Sequence, residues 1–209
     1  MKSGKCLALF ILLFAVVLAI PKEANAVVDL RLNYGLLVSN TNLDALCTAC
    51  GGSVPSIVPT YGLGADVVVN LPIPLMPGIG LRYEDMGLTT SGNGIDIKES
   101  YTRTSLLLNY HIIDTLIYLG PIVTWGLSHS TSLKATENGT VKADYTGGSQ
   151  TSFSLGLEGG AHLAGFIVGG EIGYMDFRWK DARDSTGNNS TQDINMSGTY
   201  LKLAVGYSF

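Results

Sequence analysis

Apolar and polar residues alternate with a period of two through most of the chain beyond residue 27. In the last eleven residues, Leu201, Leu203, Val205, Tyr207 and Phe209 fall on one face, and Tyr200, Lys202, Ala204, Gly206 and Ser208 on the other. Side chains alternate faces along a strand, so this reads as a strand with one wholly apolar face. Seven further segments show the same period, over residues 28–38, 61–71, 79–87, 101–112, 117–127, 153–163 and 166–174. The first sets Leu30, Leu32, Tyr34 and Leu36 against Asp29, Arg31, Asn33 and Gly35. The fourth sets Leu106, Leu108, Tyr110 and Ile112 against Arg103, Ser105, Leu107, Asn109 and His111. Segments of about ten residues match a tilted strand crossing a bilayer. Apolar faces turned to lipid and small or polar faces turned inward predict an all-β protein, an eight-stranded antiparallel up-and-down transmembrane β-barrel.

The connections alternate long and short. Polar loops are expected over residues 40–60, 128–150 and 180–195, with a further loop at Ser91, Gly92, Asn93 and Gly94. Tight turns are expected at residues 72–77, 113–115 and 164–165. Pro121 sits inside a strand-like run, and proline removes a ladder donor, so a bulge is expected there. That asymmetry suits a barrel with one elaborate rim and one rim of short turns.

Composition adds three constraints. Hydrophobic residues make up 46% of the 209, yet past residue 20 no apolar run is long enough for a spanning helix. Lys2 and Lys5 precede an apolar run from Cys6 to Ile20, and Ala24, Asn25 and Ala26 supply a small-x-small site. Residues 1–26 therefore read as a signal peptide removed before Val27, leaving residues 27–209 as one barrel domain. The chain carries a net charge of −4 without a basic patch, which argues against nucleic acid as a partner. Cys47 and Cys50 lie in the first long loop; two cysteines alone do not make a zinc site, and in an oxidising compartment they are expected to form a small loop disulfide.

The inward faces collect Asp29, Arg31, Asp66, Arg82, Glu84, Arg103, Glu158, Glu171 and Lys202. Charges at that depth persist when paired, and eight strands leave room only for side chains, so an ionic plug is expected rather than a pore. With the signal segment, the eight strands, the glycine-studded inner faces and the terminal Tyr207-Ser208-Phe209, the chain resembles the small OmpA/OmpX-type outer-membrane β-barrels. The resemblance spans residues 27–209 and implies a bacterial outer-membrane location with extracellular loops. It also implies contact with outer-membrane lipid and lipopolysaccharide, and delivery by the barrel assembly machinery. In it Leu203, Val205, Tyr207 and Phe209 stand as a terminal insertion signal. Members act as surface structural proteins or bind extracellular ligands through their loops, so surface integrity or recognition and adhesion is the expected role.

A narrow channel for small solutes or ions is an alternative, and a rim-located lipid A-modifying hydrolase another. His129, among Ser128, Ser130 and Thr131, is the one candidate base for the latter. Catalysis needs nucleophile, base and orienter together. Only one of those roles is filled in the sequence, with no acidic residue nearer than Glu137, so a loop histidine and a non-enzymatic protein are expected. No cofactor or metal is expected.

Overall fold

In the computed structural model, residues 27–39, 58–70, 76–92, 94–114, 116–184 and 193–209 are described. Residues 1–26, expected from the sequence to be a signal peptide, and the Cys47–Cys50 pair lie outside the described residues. The strands are β1 (Val27–Ser39), β2 (Val58–Asn70), β3 (Gly78–Gly92), β4 (Ile95–Asn109), β5 (Ile113–Asp114), β6 (Ile117–Glu137), β7 (Thr140–Thr146), β8 (Ser149–Leu163), β9 (Phe166–Lys180), β10 (Arg183–Asp184), β11 (Ile194–Asn195) and β12 (Gly198–Ser208). Eight of them form the wall in the order β1, β2, β3, β4, β6, β8, β9 and β12, all antiparallel. The wall closes where the two ends of the domain meet, with Asp29 opposite Ser208 and Ser39 opposite Gly198. Closure matters because hydrocarbon offers no partner to an open edge.

The outward apolar set forms a belt. Leu32, Leu63, Leu119, Leu155, Leu203 and Val205 are all exposed, as no soluble core would leave them. Tyr61, Trp125, Phe153 and Tyr174 lie toward one border, Tyr34 sits deeper, opposite Leu63 and Leu203, and Phe166, Tyr207 and Phe209 cluster at the other. The inward set is narrowed by glycine so that large side chains fit across the lumen. A Cβ at Gly169 would collide with the Tyr118 hydroxyl, and one at Gly173 would sit 2.6 Å from that of Tyr200.

Several strands run well beyond the belt, and here the sequence expectation needs correction. Residues 128–150 are not a long polar loop. β6 continues to Glu137, turns at Asn138 and Gly139, both with positive φ, and returns as β7. The turn near Gly94 joins β3 and β4, which stay paired from Gly78 and Asn109 out to Gly92 and Ile95. β9 likewise extends to Lys180. Pro121 makes no bulge; it lies in register opposite Leu157. The register shift falls instead between Thr104 and Ser105 on β4, where β6 accommodates Leu127 as an extra residue.

Beyond that shift the strands exchange polarity. Within the belt, β6 turns Leu119, Val123 and Trp125 outward and Thr124 inward. Past it, Ser128, Ser130 and Lys134 face out, and Leu133 and Ala135 face in. The extension encloses a second, apolar core of Leu37, Met86, Ile97, Tyr101, Leu133, Phe177, Trp179, Ile194, Met196 and their neighbours. Lipid surrounds the lower half and water the upper, so the same wall must present opposite faces at the two heights. Leu203 is 64% exposed within the belt. Leu203→Arg is expected to destabilise the barrel by about 2–4 kcal/mol in lipid vesicles, read by urea unfolding, because a charge on the lipid face must be desolvated.

Candidate functional site

Alternation places one charged residue on each of several neighbouring strands at the same height. Arg31 lies opposite Asp66, Asp66 opposite Arg82, Glu84 opposite Arg103, and Glu171 opposite Lys202. The structure brings eight of the nine inward charges singled out in the sequence, Glu158 included, into one network. Arg82 grips Asp66 through Nε and Nη2 at 2.8 and 2.9 Å, and Glu171 through Nη1 and Nη2 at 3.1 and 2.7 Å. Two forked contacts on one planar guanidinium are geometry that a lysine cannot reproduce. Arg103 and Lys202 both hold Glu84, at 2.5 and 2.7 Å. Arg31 holds Glu158 at 2.7 Å, whose other oxygen accepts from Asn109 at 2.6 Å and meets His111 Nε2 at 2.9 Å.

Four carboxylates thus face four cations inside a wall where each is at most 6% exposed. Glu158 and Glu171 are directly opposite across β8 and β9, a repulsive pairing on its own. Each is drawn to a different arginine, which resolves it. Asp29 stands apart at the lower end, accepting from Asn70 and from the Ser208 hydroxyl, at 2.8 and 2.5 Å.

Tyr200, which donates to Glu171 at 2.6 Å, and the Thr124–Ser154 pair beside Arg103 complete the network. Their contribution was not legible as chemistry, because a neutral hydroxyl at an inward position carries no charge pattern. Above the network the apolar core fills the lumen, and below it Val68, Leu107 and Ile122 pack together. Among the described residues, no group of three or more His, Cys, Asp or Glu is arranged to hold a metal.

Two residues above the belt have chemistry of their own. Glu99 points into the apolar core between Leu88 of β3 and Leu133 of β6, and neither carboxylate oxygen has a hydrogen-bond partner. Burial without compensation pushes its pKa up from 4.5 to about 7. His129 is not a loop histidine. It stands on β6 facing inward, with Nε2 2.8 Å from the Ser152 hydroxyl of β8 and its ring edge-on to Phe177. Burial, and then the Arg103 charge, depress its pKa.

No known family profile and no curated protein matches the sequence. Solved structures do match the fold. Ail, the attachment invasion locus protein of Yersinia pestis, superposes with a TM-score of 0.53 at 11% identity, covering 88% of this chain and 99% of that one. Ail in complex with the heparin analogue sucrose octasulfate gives 0.51 at 12% identity over 88% and 99%. A major outer membrane protein of Thermus thermophilus gives 0.52 at 14% identity over 87% and 99%.

Two measurements probe these interior groups. Arg82→Met leaves Asp66 to Arg31 and Asn33, and Glu171 to Lys202 and Tyr200, and is expected to cost about 3 kcal/mol in detergent unfolding, since the buried carboxylates then outnumber the cations beside them. Glu99 titrates in the opposite sense to a paired carboxylate. Its folded pKa lies above its unfolded value, so stability is greatest below pH 4.5, falls as pH rises to about 7, and is then level. The loss is on the order of 3 kcal/mol. Glu99→Leu is expected to abolish that pH-dependent loss and to stabilise the protein at pH 8, read by paired denaturation curves. The closed wall, the lipid-facing belt and the superpositions make this chain a transmembrane β-barrel with the fold of the small eight-stranded outer-membrane barrels of the OmpA/OmpX type.

Proposed function

We propose that the protein is a bacterial outer-membrane surface barrel without a conducting pore or enzymatic activity, its extended strands projecting to the cell exterior. The observation that carries this reading is the filled lumen. The ionic layer joins β1, β2, β3, β4, β8, β9 and β12, and the apolar core around Phe177 and Trp179 lies above it. Charges already neutralised in pairs offer little to a passing ion, and an apolar plug excludes water. Residues 1–26 would direct export, the terminal Leu203, Val205, Tyr207 and Phe209 would engage the assembly machinery, and the belt would meet lipid and lipopolysaccharide.

The extension is a paired sheet with a core, so it can present a fixed surface rather than a flexible loop. Lys98 and Lys134 sit directly opposite one another on its outer face, beside the hydrogen-bonded hydroxyls of Ser100 and Ser132. A role in recognition or adhesion at that surface is the second element of the proposal. It is supported by the fold shared with Ail, whose structure has been obtained with a heparin analogue.

Three readouts test this. Outer-membrane fractions should contain the protein, with a gel mobility that shifts on boiling in detergent. In planar bilayers the purified protein should show no discrete current steps; steps in the native protein would overturn the sealed lumen. Lys98→Glu with Lys134→Glu should leave the mobility shift intact while reducing retention on immobilised sucrose octasulfate. Undiminished or absent retention of both forms would remove polyanion recognition and leave a structural role.

A further inference from the structure

The wall contains a gap that its ladder makes legible. β6 and β8 are paired from Ile117 and Ala161 up to Trp125 and Phe153, and no further. β6 then pairs with β7 from Ser132 opposite Thr146 onward. Between those two points, residues 126–131 of β6 face residues 147–152 without any ladder contact. β8 remains paired on its other edge, Ser149 to Lys180 and Ser152 to Phe177, so the strands part on one side only. The result is a window, closed below by the Trp125–Phe153 ring contact and above by the β6–β7 ladder, and bridged at its inner face by the His129–Ser152 contact.

Its position relative to the bilayer follows from chemistry. Open strand edges do not survive in hydrocarbon, so the hydrocarbon boundary runs at or below the Trp125–Phe153 rung. Aromatic side chains at that rung are the kind that occupy a membrane interface. A cavity of about 200 Å³ occupies the window, lined by Trp125, Leu127 and Phe153 on its lipid side and by His129, Gln150 and Ser152 within. Trp125 and Leu127 are more than half exposed.

We propose that this window binds the chain–carbonyl junction of an outer-leaflet lipid, the chain lying on Trp125, Leu127 and Phe153 and the ester or amide carbonyl reaching in to Ser152. It rests on the membrane orientation proposed above. The gradient from apolar sill to polar interior runs over a few residues, matching the few atoms over which an acylated lipid turns from hydrocarbon to ester. Asp176 lines the outer lip, so a phosphate is a poor fit there, whereas a neutral carbonyl is not. The unpaired strand edges add backbone donors of the kind a carbonyl accepts.

The Ser152–His129 contact also resembles a nucleophile beside its base. No carboxylate among the described residues pairs with His129, and Arg103 Nη1 already donates to Ser152 at 3.3 Å. The pair therefore holds the hydroxyl toward a ligand and does not cleave it.

The test uses the full barrel in bilayers containing a palmitoyl lysophosphatidylcholine that carries a diazirine close to its ester. After irradiation, adducts are mapped by peptide mass. Saturable labelling concentrated on residues 126–130 and 149–153, competed by unlabelled lysolipid, is the expected result. It should be lost in Thr151→Trp, whose exposed side chain would fill the window, and weakened in His129→Leu, with the heat-dependent mobility shift retained in at least one. Labelling spread evenly round the belt and unchanged in both variants overturns the window while leaving membrane immersion intact. No belt labelling at all overturns the immersion itself. Release of free palmitate by the native protein but not by Ser152→Ala overturns binding without cleavage.

Discussion

Every backbone amide and carbonyl inside a bilayer must find its partner within the protein, and this requirement organises the whole chain. It is met by joining the ends of the domain, β1 to β12, along a continuous ladder. Once the wall is closed, half of its residues have no solvent except one another. With eight strands the lumen is too narrow for water-filled space, so the inward residues must be mutually complementary in both size and charge. Glycine answers the first demand where Tyr118 and Tyr200 cross the barrel. Four paired cations and carboxylates answer the second.

The ionic layer is better understood as a device for register than as a source of raw stability. Buried pairs recover little more than their desolvation cost, but a mispaired one is severely unfavourable. Shifting β1 or β3 by one residue would put Arg31 or Arg82 into lipid and an apolar residue into the lumen. Glu158 facing Glu171 makes the point locally: that rung is tolerable only when Arg31 and Arg82 are both in place.

Above the belt the physical problem reverses, and so does the pattern. Water replaces lipid outside, and an apolar core replaces the ionic layer inside. The reversal coincides with the β6 bulge and with the parting of β6 from β8, which together give the molecule its two chemically distinctive places. One is the window with His129 and Ser152 at its inner face. The other is Glu99, a carboxyl held among hydrocarbon side chains without a partner. The window lies where the wall is answering to water and lipid at once, and Glu99 lies higher, in the extension.

Strand count, the outward belt and the identity of the inward charges were legible in the sequence, because period-two alternation is a local property and lipid makes it emphatic. Asp66, Arg82, Glu158, Glu171 and Lys202 could be assigned to one layer by counting along strands. Their partners could not, since Arg82 meets Glu171 across the lumen from strands 89 residues apart in sequence. In the sequence the extension reads as loop because its outward residues, Ser128, Ser130, Ser132 and Lys134, are polar, and of its inward ones, Thr131, Leu133 and Ala135, only Leu133 is strongly apolar. Alternation was still present there with its sense reversed, and what that reversal means depends on the solvent on each side. His129 and Ser152 are 23 residues apart and meet only because two strands diverge at a bulge. The sequence by itself determined which face each residue of the belt would take; closure of the wall decided which residues would meet, because only closure sets strands distant in sequence at one height.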